Sequence, residues 1–243
     1  MKRPVCVIVG AGAGLGRSLA ATFAGNGCDI ALVSRSEAGS GAALAAARAA
    51  APAANVAFFA ADATDPEALE MTLAGIERDF GAVEILIYNA RGGYDFRAPL
   101  AMNYADLEAI YRLEVIGAFA AAKALLPAMI ARGHGTVIYS SATAALRGSA
   151  NNPLFAIGKF GLRALAQSLA KAYAKNGIHV AHMRLDCTLD VPEVRAYMGD
   201  AFKAEETANT DDVAQTYWWV HLQPKSAWSN EVELRPYTES WTC

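Results

Sequence analysis

Six short apolar runs, separated by long alanine-rich stretches, constrain the fold of this chain more than any other feature. The runs are VCVIV (5–9), DIALVS (29–34), NVAFFA (55–60), EILIYN (84–89), TVIYSS (136–141) and IHVAHM (178–183). Continuous apolar strands spaced by helices are typical of a parallel sheet that is covered on both faces. The sequence therefore predicts an α/β fold with a doubly wound parallel sheet in three α/β/α layers.

Helix boundaries and the even composition indicate one domain. Asp65 and Asn152 each stand directly before a proline, which places a capping side chain ahead of a proline at the first helical position. The alanine-rich segment 42–54 is predicted to be a helix, because Ala is the best helix former. No linker, repeat or charge block divides the 243 residues, so we expect a single domain over 1–243.

Composition limits the classes of function that need to be considered. Hydrophobic residues make up 54% and charged residues 19%, with a net charge of −3, which is typical of a compact protein and gives no reason to expect nucleic acid as a partner. No apolar stretch approaches a membrane span. The four cysteines form no CxxC pair, and His179 and His182 would point to opposite faces of one strand. We therefore expect no metal site and a reducing, cytoplasmic location.

A glycine-rich loop, GAGAGLGRSLA (10–20), follows the first predicted strand directly. Glycines there let the backbone turn tightly and approach a diphosphate, whose charge is favoured at the N-terminus of the next helix. Gly10, Gly14 and Gly16 fit the spacing GxxxGxG, and no reading fits GxGxxG. A loop that follows a strand and opens a helix indicates a dinucleotide site in a Rossmann-like fold. The alternative is that these glycines serve only close packing of helix on sheet.

With this loop in place, residues 4–190 resemble the short-chain dehydrogenase/reductase family. Other landmarks of that family follow in order, namely ADATD (61–65), YNAR (88–91) and a lysine-bearing helix after the fifth strand. Asn89 and Ala90 match the family's NNAG turn, whereas its first Asn and its Gly are lost. The resemblance implies an oxidoreductase that binds a nicotinamide dinucleotide, with Asp62 holding the adenine.

The same resemblance implies the cofactor-binding residues and the kind of cofactor. NAD-preferring members carry at the end of strand two an Asp that accepts from the ribose 2′-hydroxyl, whereas this chain has Ser34 followed by Arg35. An arginine can bind a 2′-phosphate through charge-assisted hydrogen bonds, which favours NADP(H) over NAD(H). A solvated surface arginine is the alternative. The implied cofactor-binding residues are Gly10, Gly14, Leu15, Gly16, Ser34, Arg35, Asp62, Ala63, Asn89, Ala90, Lys159, Asp186 and Thr188.

The family's usual catalytic groups, an Asn, a Ser, a Tyr and a Lys, are only partly present. The resemblance places Lys159 at the lysine that holds the nicotinamide ribose and Phe155 at the proton-transferring tyrosine. Aligned without a gap, the serine position falls on Ala142, and Ser141 serves only after a shift of one residue. Glu114 stands at the asparagine position. Because a phenylalanine cannot transfer a proton, a contribution of about 10²- to 10⁴-fold in rate is lost.

Glu114 and Asp186 could each act either as a catalytic acid or base or as a structural ion-pair partner. A carboxyl in a partly buried site has a raised pKa and can act as an acid near neutral pH, which would give Glu114 a catalytic role. If Glu114 lies under Lys159, the two would instead form an ion pair. Asp186, which replaces the first residue of the family's Pro-Gly after strand six, faces the same choice. Tyr94, in the loop after strand four, is a further candidate for substrate contact or proton donation.

The resemblance thus implies an NADP(H)-dependent oxidoreductase that moves a hydride to or from a small or medium apolar substrate with a non-standard proton donor. An iminium or a conjugated C=C suits the missing tyrosine better than a carbonyl does. The alternatives are a catalytically silent NADPH-binding scaffold, and a non-redox lyase or isomerase with Glu114 or Asp186 as its base.

Three further expectations concern the surroundings of the site. The polar segment 190–210 is predicted to be a helical lid over the substrate, and 231–235 a C-terminal edge strand. We also expect a homodimer or homotetramer through the long helices that begin near Tyr104 and Pro153, because the family commonly associates there.

Overall fold

The computed structural model describes residues 3–93 and 95–239. Tyr94, a candidate from the sequence, lies outside the described residues. Seven strands form one parallel sheet, namely β1 (Val5–Val9), β2 (Asp29–Ser34), β3 (Val56–Ala60), β4 (Val83–Tyr88), β5 (Gly135–Ala142), β6 (Ile178–Leu185) and β9 (Glu231–Leu234). Their order in the sheet is β3-β2-β1-β4-β5-β6-β9.

Helices cover both faces of this sheet and give three layers. Leu69, Leu125 and Leu162, from three different helices, belong to the core on one face of the sheet, which also contains Val7 and Val9. The helices are α1 (Leu15–Gly25), α2 (Glu37–Ala50), α3 (Pro66–Gly75), α4 (Tyr104–Tyr111), α5 (Gly117–Arg132), α6 (Pro153–Tyr173), α7 (Pro192–Met198) and α8 (Thr210–His221). The alternate residues of β1 face a second core on the other face of the sheet, which contains side chains of α1, α2 and α8. The predicted doubly wound α/β fold is therefore confirmed.

The two predicted helix caps differ in outcome. Asp65 accepts a hydrogen bond from the Ala68 amide at 3.1 Å ahead of α3, as its position before a proline indicates. Asn152 occupies the corresponding position of α6, yet in the described structure its side chain makes no capping bond. The hydroxyl of Ser149 instead accepts from the Asn152 amide at 2.9 Å. The loop before α6 is thus closed by a neighbouring serine, which a cap-and-proline pattern does not reveal.

The longest helix joins α4 to α5 through a π-helical turn at Arg112–Ile116. The continuous helix, Tyr104–Arg132, has 29 residues and a window of mean hydropathy 1.7, so by length and composition it could cross a membrane. The expectation that no apolar stretch approaches a membrane span is therefore wrong by this criterion of length and hydropathy. Half of this window is buried inside the protein, and residues such as Leu125 and Met129 belong to the core beside the sheet. Packing within the domain thus accounts for the buried half of this window.

The segment after β6 is tied down by a second, two-stranded sheet. Its strands are β7 (Thr188–Asp190) and β8 (Thr207–Asn209), which pair in parallel. Between them lie α7 and two short 3₁₀ turns. The segment predicted as a helical lid at 190–210 thus begins and ends in paired backbone, while Tyr197 on α7 is 90% exposed.

Candidate active site

The glycine-rich loop lies at the carboxyl end of β1, against the loop that follows β4. Gly10 has a φ of +88°, and a Cβ placed there would lie 2.4 Å from the Ala90 nitrogen. The Asn89 side chain donates to the Gly10 carbonyl oxygen at 2.9 Å, and the Asn89 amide donates to Val9 at 2.8 Å. Only a glycine allows this approach, so the two cofactor-binding segments implied by the sequence are brought together at the crevice between β1 and β4.

The start of α1 is open to an anion. Gly14 is its N-cap residue, Gly12 and Ala13 before it are exposed, and Leu15 begins the helix as a buried residue. The first amides of a helix have no partner within the helix, and they carry the positive end of its dipole. A Cβ at Gly16 would lie 2.9 Å from Ala11, so this glycine serves the tight loop itself. The loop therefore fits a diphosphate by its shape and its amides.

The segment predicted as a lid contacts this loop at Val191, a residue that sequence reasoning missed. A Cβ at Gly14 would lie 3.0 Å from the Val191 side chain, which follows β7 directly. Thr188, the residue that the sequence placed near the cofactor, is exposed at the start of β7. The contact links residues 177 positions apart, and a valine in a polar segment gives no signal of it.

The end of β2 presents a positive charge next to a carboxylate. Arg35 is exposed, whereas the Ser34 hydroxyl lies 2.7 Å from that of Ser40 and donates to the backbone at the start of α2. The backbone hydrogen bond from Thr64, its hydroxyl and the charge of Arg35 together lower the pKa of Asp62, against an opposing effect of burial. The Thr64 bonds measure 2.9 Å and 2.8 Å. Arg35 is thus free to meet a ligand anion beside a carboxylate that is held ionised.

Lys159 and Glu114 form a buried ion pair. The Lys159 Nζ lies 2.8 Å from the Glu114 Oε2, and their side chains are only 2% and 0% exposed. The lysine also donates to the Ser140 carbonyl oxygen at 3.2 Å, and the Gly92 amide donates to the Glu114 Oε1 at 3.0 Å. The sequence left two roles open for Glu114, that of an acid and that of an ion-pair partner of Lys159. The structure supports the ion pair, because the negative charge of Glu114 balances the Lys159 ammonium.

The geometry around Glu114 depends on small residues and on the π-helical turn. Glu114 lies within Arg112–Ile116, where the widened turn carries it toward α6. A Cβ at Gly158 would lie 2.8 Å from the Glu114 side chain, and one at Gly117 would lie 2.2 Å from the Ala63 oxygen. Two glycines therefore let the long helix approach both α6 and the loop that contains Ala63.

Phe155 is buried, and its ring centroid lies 5.6 Å from the Lys159 Nζ. Both residues lie on α6, one turn apart, so the ring lies beside the ammonium of the ion pair. The residue brings an aromatic face to this position and no hydroxyl. No proton transfer can therefore pass through residue 155.

The serine region at the end of β5 contains one unengaged hydroxyl. Ser141 is buried, and its Oγ has no hydrogen-bond partner among residues 3–93 and 95–239. Ser140 points to the other face of the strand, where its Oγ accepts from Tyr217 at 2.9 Å. Ala142 ends the strand. Ser141 thus keeps the donor that Ala142 lacks.

Buried phenols nearby are engaged by the protein. The Tyr88 hydroxyl donates to the Leu113 carbonyl oxygen, and burial raises the pKa of Tyr88. Burial likewise raises the pKa of Tyr139, whose hydroxyl lies 3.5 Å from the Ala118 oxygen. An acid has to release its proton near the working pH. Neither tyrosine is therefore suited to replace the missing phenol.

Asp186, at the end of β6, belongs to a charged network. It accepts from the Thr143 hydroxyl and forms an ion pair with Arg235, which also lies 2.5 Å from Glu233. Asp186 is 8% exposed, and Arg235 directly follows the edge strand β9. The carboxylate of Asp186 therefore links residues at the ends of β5, β6 and β9. This fits the ion-pair role, one of the two roles that the sequence left open.

The histidines of β6 are structural by their contacts. The His179 ring stacks on Trp228 with 4.8 Å between centroids, and its Nε2 lies 3.0 Å from the Ser229 oxygen. His182 is buried beside β5 and β9. Among the described residues, no group of three or more His, Cys, Asp or Glu could hold a metal ion.

Comparisons with known proteins agree with this geometry. The family model for short chain dehydrogenase matches residues 4–190. The 3-oxoacyl-[acyl-carrier-protein] reductase FabG of Escherichia coli is 30% identical over 176 residues, which cover 72% of this chain and 70% of that protein. Levodione reductase of Leifsonia aquatica is 28% identical over 176 residues, 72% of this chain and 66% of that protein.

Solved structures show the same architecture over nearly the whole chain. The crystal structure of a short-chain dehydrogenase from Rhodopseudomonas palustris matches with a TM-score of 0.82 and 26% identity, covering 98% of this chain and 100% of that one. A metagenomic short-chain oxidoreductase in complex with NADP matches with a TM-score of 0.82 and 22% identity, over 97% and 98% of the two chains. The chain therefore belongs to the short-chain dehydrogenase/reductase family, whose members are oxidoreductases.

Proposed function

We propose that this protein is an NADP(H)-dependent oxidoreductase that transfers hydride to or from a small or medium apolar substrate without a tyrosine acid. The observation that carries the cofactor assignment is the exposed Arg35 at the end of β2, where a carboxylate would be needed to favour NAD(H). Its charge stands open to solvent, close enough to Asp62 to affect that carboxyl.

The residues of the crevice fit such a cofactor. The glycine-rich loop and the start of α1 would hold the diphosphate, Arg35 the 2′-phosphate and Asp62 the adenine. An ammonium has three donors. Because Lys159 gives one to Glu114 and one to Ser140, a third remains for a ribose hydroxyl. When bound in its reduced form, the cofactor supplies a hydride.

Two solved structures of the same fold support the choice of phosphate-bearing cofactor. One is the metagenomic oxidoreductase in complex with NADP, and the other is the L-sorbose reductase of Gluconobacter frateurii complexed with NADPH and L-sorbose. The second has a TM-score of 0.85 at 21% identity. For this chain, the preference for NADP(H) is proposed on the exposed Arg35 and not on the ligands of these two proteins.

Titration with NADPH and with NADH, followed by tryptophan quenching, tests the cofactor. A charge-assisted hydrogen bond contributes about 1.5–3 kcal/mol. We therefore expect Arg35→Ala to weaken NADPH binding by about 10- to 150-fold and to leave NADH binding within about 3-fold. The exposed Arg112→Ala is the matched control. Equal losses for the two nucleotides would refute the assignment of Arg35, and no binding of either would refute cofactor binding altogether.

A catalytically silent NADPH-binding scaffold is the second candidate, and one observation favours it. Phe155 has no proton to give, and the Lys159 charge below it is already balanced by Glu114. Steady turnover with any added substrate would exclude this candidate, whereas NADPH binding without turnover would favour it. No described contact favours a lyase or isomerase, because Glu114 and Asp186 are each held by a cation.

We further propose a homodimer or homotetramer in the cytoplasm that acts on small molecules. Phe119 on α5 and Phe160 on α6 are 49% and 43% exposed, and Ile157 is 38% exposed beside them. Large exposed apolar side chains on two long helices suit a helix–helix interface. Mass measurement by light scattering, with Phe160→Glu as the disrupting variant, tests this assembly.

A further inference from the structure

We propose that the substrate is a cation, an iminium or a protonated imine whose C=N carbon accepts the hydride. The proposal rests on the proposed hydride transfer and names its substrate class. It follows from the hydrogen-bond donors, the charges and the aromatic ring that the structure places at the carboxyl ends of β4, β5 and β6.

The donors at this end of the sheet are largely absent or engaged. The side chains of Phe155 and Ala142 have no polar hydrogen. The Thr143 hydroxyl donates to Asp186, so that it turns lone pairs and not a proton toward a ligand. Lys159 donates to Glu114 and to the Ser140 oxygen. Its third donor is the one that we propose for the ribose hydroxyl. The neutral hydroxyl of Ser141 is then a buried donor without a hydrogen-bond partner in the described set.

The buried charges at this end of the sheet are balanced within the protein. Lys159 is matched by Glu114. The two arginines of the neighbouring network, Arg184 and Arg235, are matched by its two carboxylates, Asp186 and Glu233. Arg91, in the loop after β4, is exposed, so water and salt screen its charge. A carbonyl that accepts hydride develops a full negative charge on oxygen, which enzymes stabilise with preorganised donors or cations. This site offers one neutral hydroxyl and no unbalanced buried cation among the described residues.

An iminium makes no such demand. Hydride adds to the carbon, the π pair of C=N becomes a lone pair on nitrogen, and a neutral amine results. The reductant, a reduced nicotinamide dinucleotide, leaves in its oxidised form, and no proton is taken up. A carbonyl gives an alkoxide and a conjugated C=C gives an enolate, and each of these then requires a proton. The iminium is therefore the acceptor that needs nothing from residue 155.

Phe155 offers this cation an aromatic face. An ammonium, that of Lys159, already lies 5.6 Å from the ring centroid. Cations within about 6 Å of an aromatic centroid are attracted by the ring quadrupole. A phenylalanine at this position thus removes a proton donor and retains a surface that favours positive charge.

Turnover with two matched acceptors tests the charge preference. The probes are 2-methyl-3,4-dihydroisoquinolinium, a permanent iminium, and α-tetralone, a ketone of similar shape. NADPH consumption and product formation are both followed, after NADPH binding has been measured by tryptophan quenching. We expect kcat/KM for the iminium to exceed that for the ketone at least about 100-fold, the scale of a general-acid contribution.

Binding without chemistry tests the role of the ring. The probes are 2,2-dimethyl-1,2,3,4-tetrahydroisoquinolinium and its uncharged carbon analogue, 2,2-dimethyl-1,2,3,4-tetrahydronaphthalene, neither of which can accept hydride. Phe155→Leu should lose about 5- to 30-fold more affinity for the cation than for the neutral analogue. Phe80→Leu, in the turn Ile76–Phe80 that leads into the amino end of β4, should change neither, and circular dichroism checks that both variants fold.

The outcomes separate this proposal from the cofactor assignment. Ketone turnover equal to or faster than that of the iminium overturns the cationic substrate and leaves NADP(H) standing. NADPH binding with no turnover of the iminium, or equal losses for both analogues in Phe155→Leu, also overturns it. Failure to bind either nucleotide overturns both proposals together.

Discussion

The two halves of the crevice treat their charges in opposite ways. In the cofactor half, built from β1, β2 and β3 with their loops, Arg35 is exposed and the start of α1 is open. In the catalytic half, built from β5, α6 and β6 with Glu114, the charged groups are buried and paired with one another. The first half keeps its polar groups available to a ligand. The second commits them to its own structure, and the apolar ring of Phe155 lies beside its buried lysine.

The largest effect should come from unbalancing the catalytic half. Glu114→Gln keeps the shape and the oxygen that accepts from Gly92, but it leaves the Lys159 ammonium buried without a counter-charge. Removing one partner of a buried pair costs about 3–5 kcal/mol, which we expect in the free energy of unfolding measured with urea at neutral pH. The double variant Glu114→Gln, Lys159→Met should recover most of that loss.

A matched exposed pair provides the control. Lys123 and Glu70 lie 2.9 Å apart with side chains 57% and 31% exposed, and Glu70→Gln should cost at most about 1 kcal/mol. Equal costs for Glu114→Gln and Glu70→Gln would show that the buried pair is no more important to the fold than a surface one.

In the cofactor half, the largest effect should come from Gly10. An alanine there must adopt a φ of +88° and place its Cβ 2.4 Å from the Ala90 nitrogen. Left-handed backbone costs about 1–2 kcal/mol and overpacking about 1–3 kcal/mol, so we expect a loss of about 3 kcal/mol in stability. NADPH binding should fall as well, because the Asn89 loop is displaced. Gly12→Ala, with open space around it, should leave stability nearly unchanged, and a similar loss there would contradict this explanation.

A smaller effect is expected from His182 on β6, which should make the stability of the catalytic half depend on pH. Burial lowers the pKa of His182 to about 4, with Glu231 raising it and Arg163, Lys159 and Arg184 lowering it further. Because the folded pKa lies below the unfolded one, this stability is present above about pH 6.5 and is lost as the pH falls toward 4. The loss between pH 7 and pH 5 should be about 2 kcal/mol.

The His182→Phe variant should remove that part of the pH dependence, measured by urea unfolding at several pH values. His134→Gln, at an exposed histidine with 51% of its side chain accessible, should leave it in place. An unchanged slope in His182→Phe would assign the acid sensitivity to the paired carboxylates instead.

The fold was predictable because strands that are buried on both faces of a sheet appear in the sequence as continuous apolar runs. Each predicted strand is present, and the edge strand predicted at 231–235 is observed as Glu231–Leu234. The glycine spacing likewise records a local steric need, as Gly10 shows. Such signals are short in range, and one sequence is enough to find them.

The pairing of the catalytic half could not be predicted in the same way. The sequence showed Glu114 at an unusual position but left open whether it meets Lys159, because that depends on the π-helical turn and on Gly158 across the interface. Asp186 was found, yet its partner Arg235 follows a different strand. Val191 gave no signal at all. These contacts depend on how elements distant in sequence pack together.

The distance along the chain between the buried charges bears on the order in which the molecule is made. The partner of Glu114, Lys159, lies 45 positions later in the chain. The partner of Asp186, Arg235, lies 49 positions later. Until α6 has been synthesised, we expect the carboxylate of Glu114 to stay hydrated, because burying it alone as an ion is costly. We therefore expect the long helix to pack fully onto the nascent sheet only once α6 is present, whereas β1, α1 and β2 can associate earlier. The catalytic half is the last part of this protein to become dry.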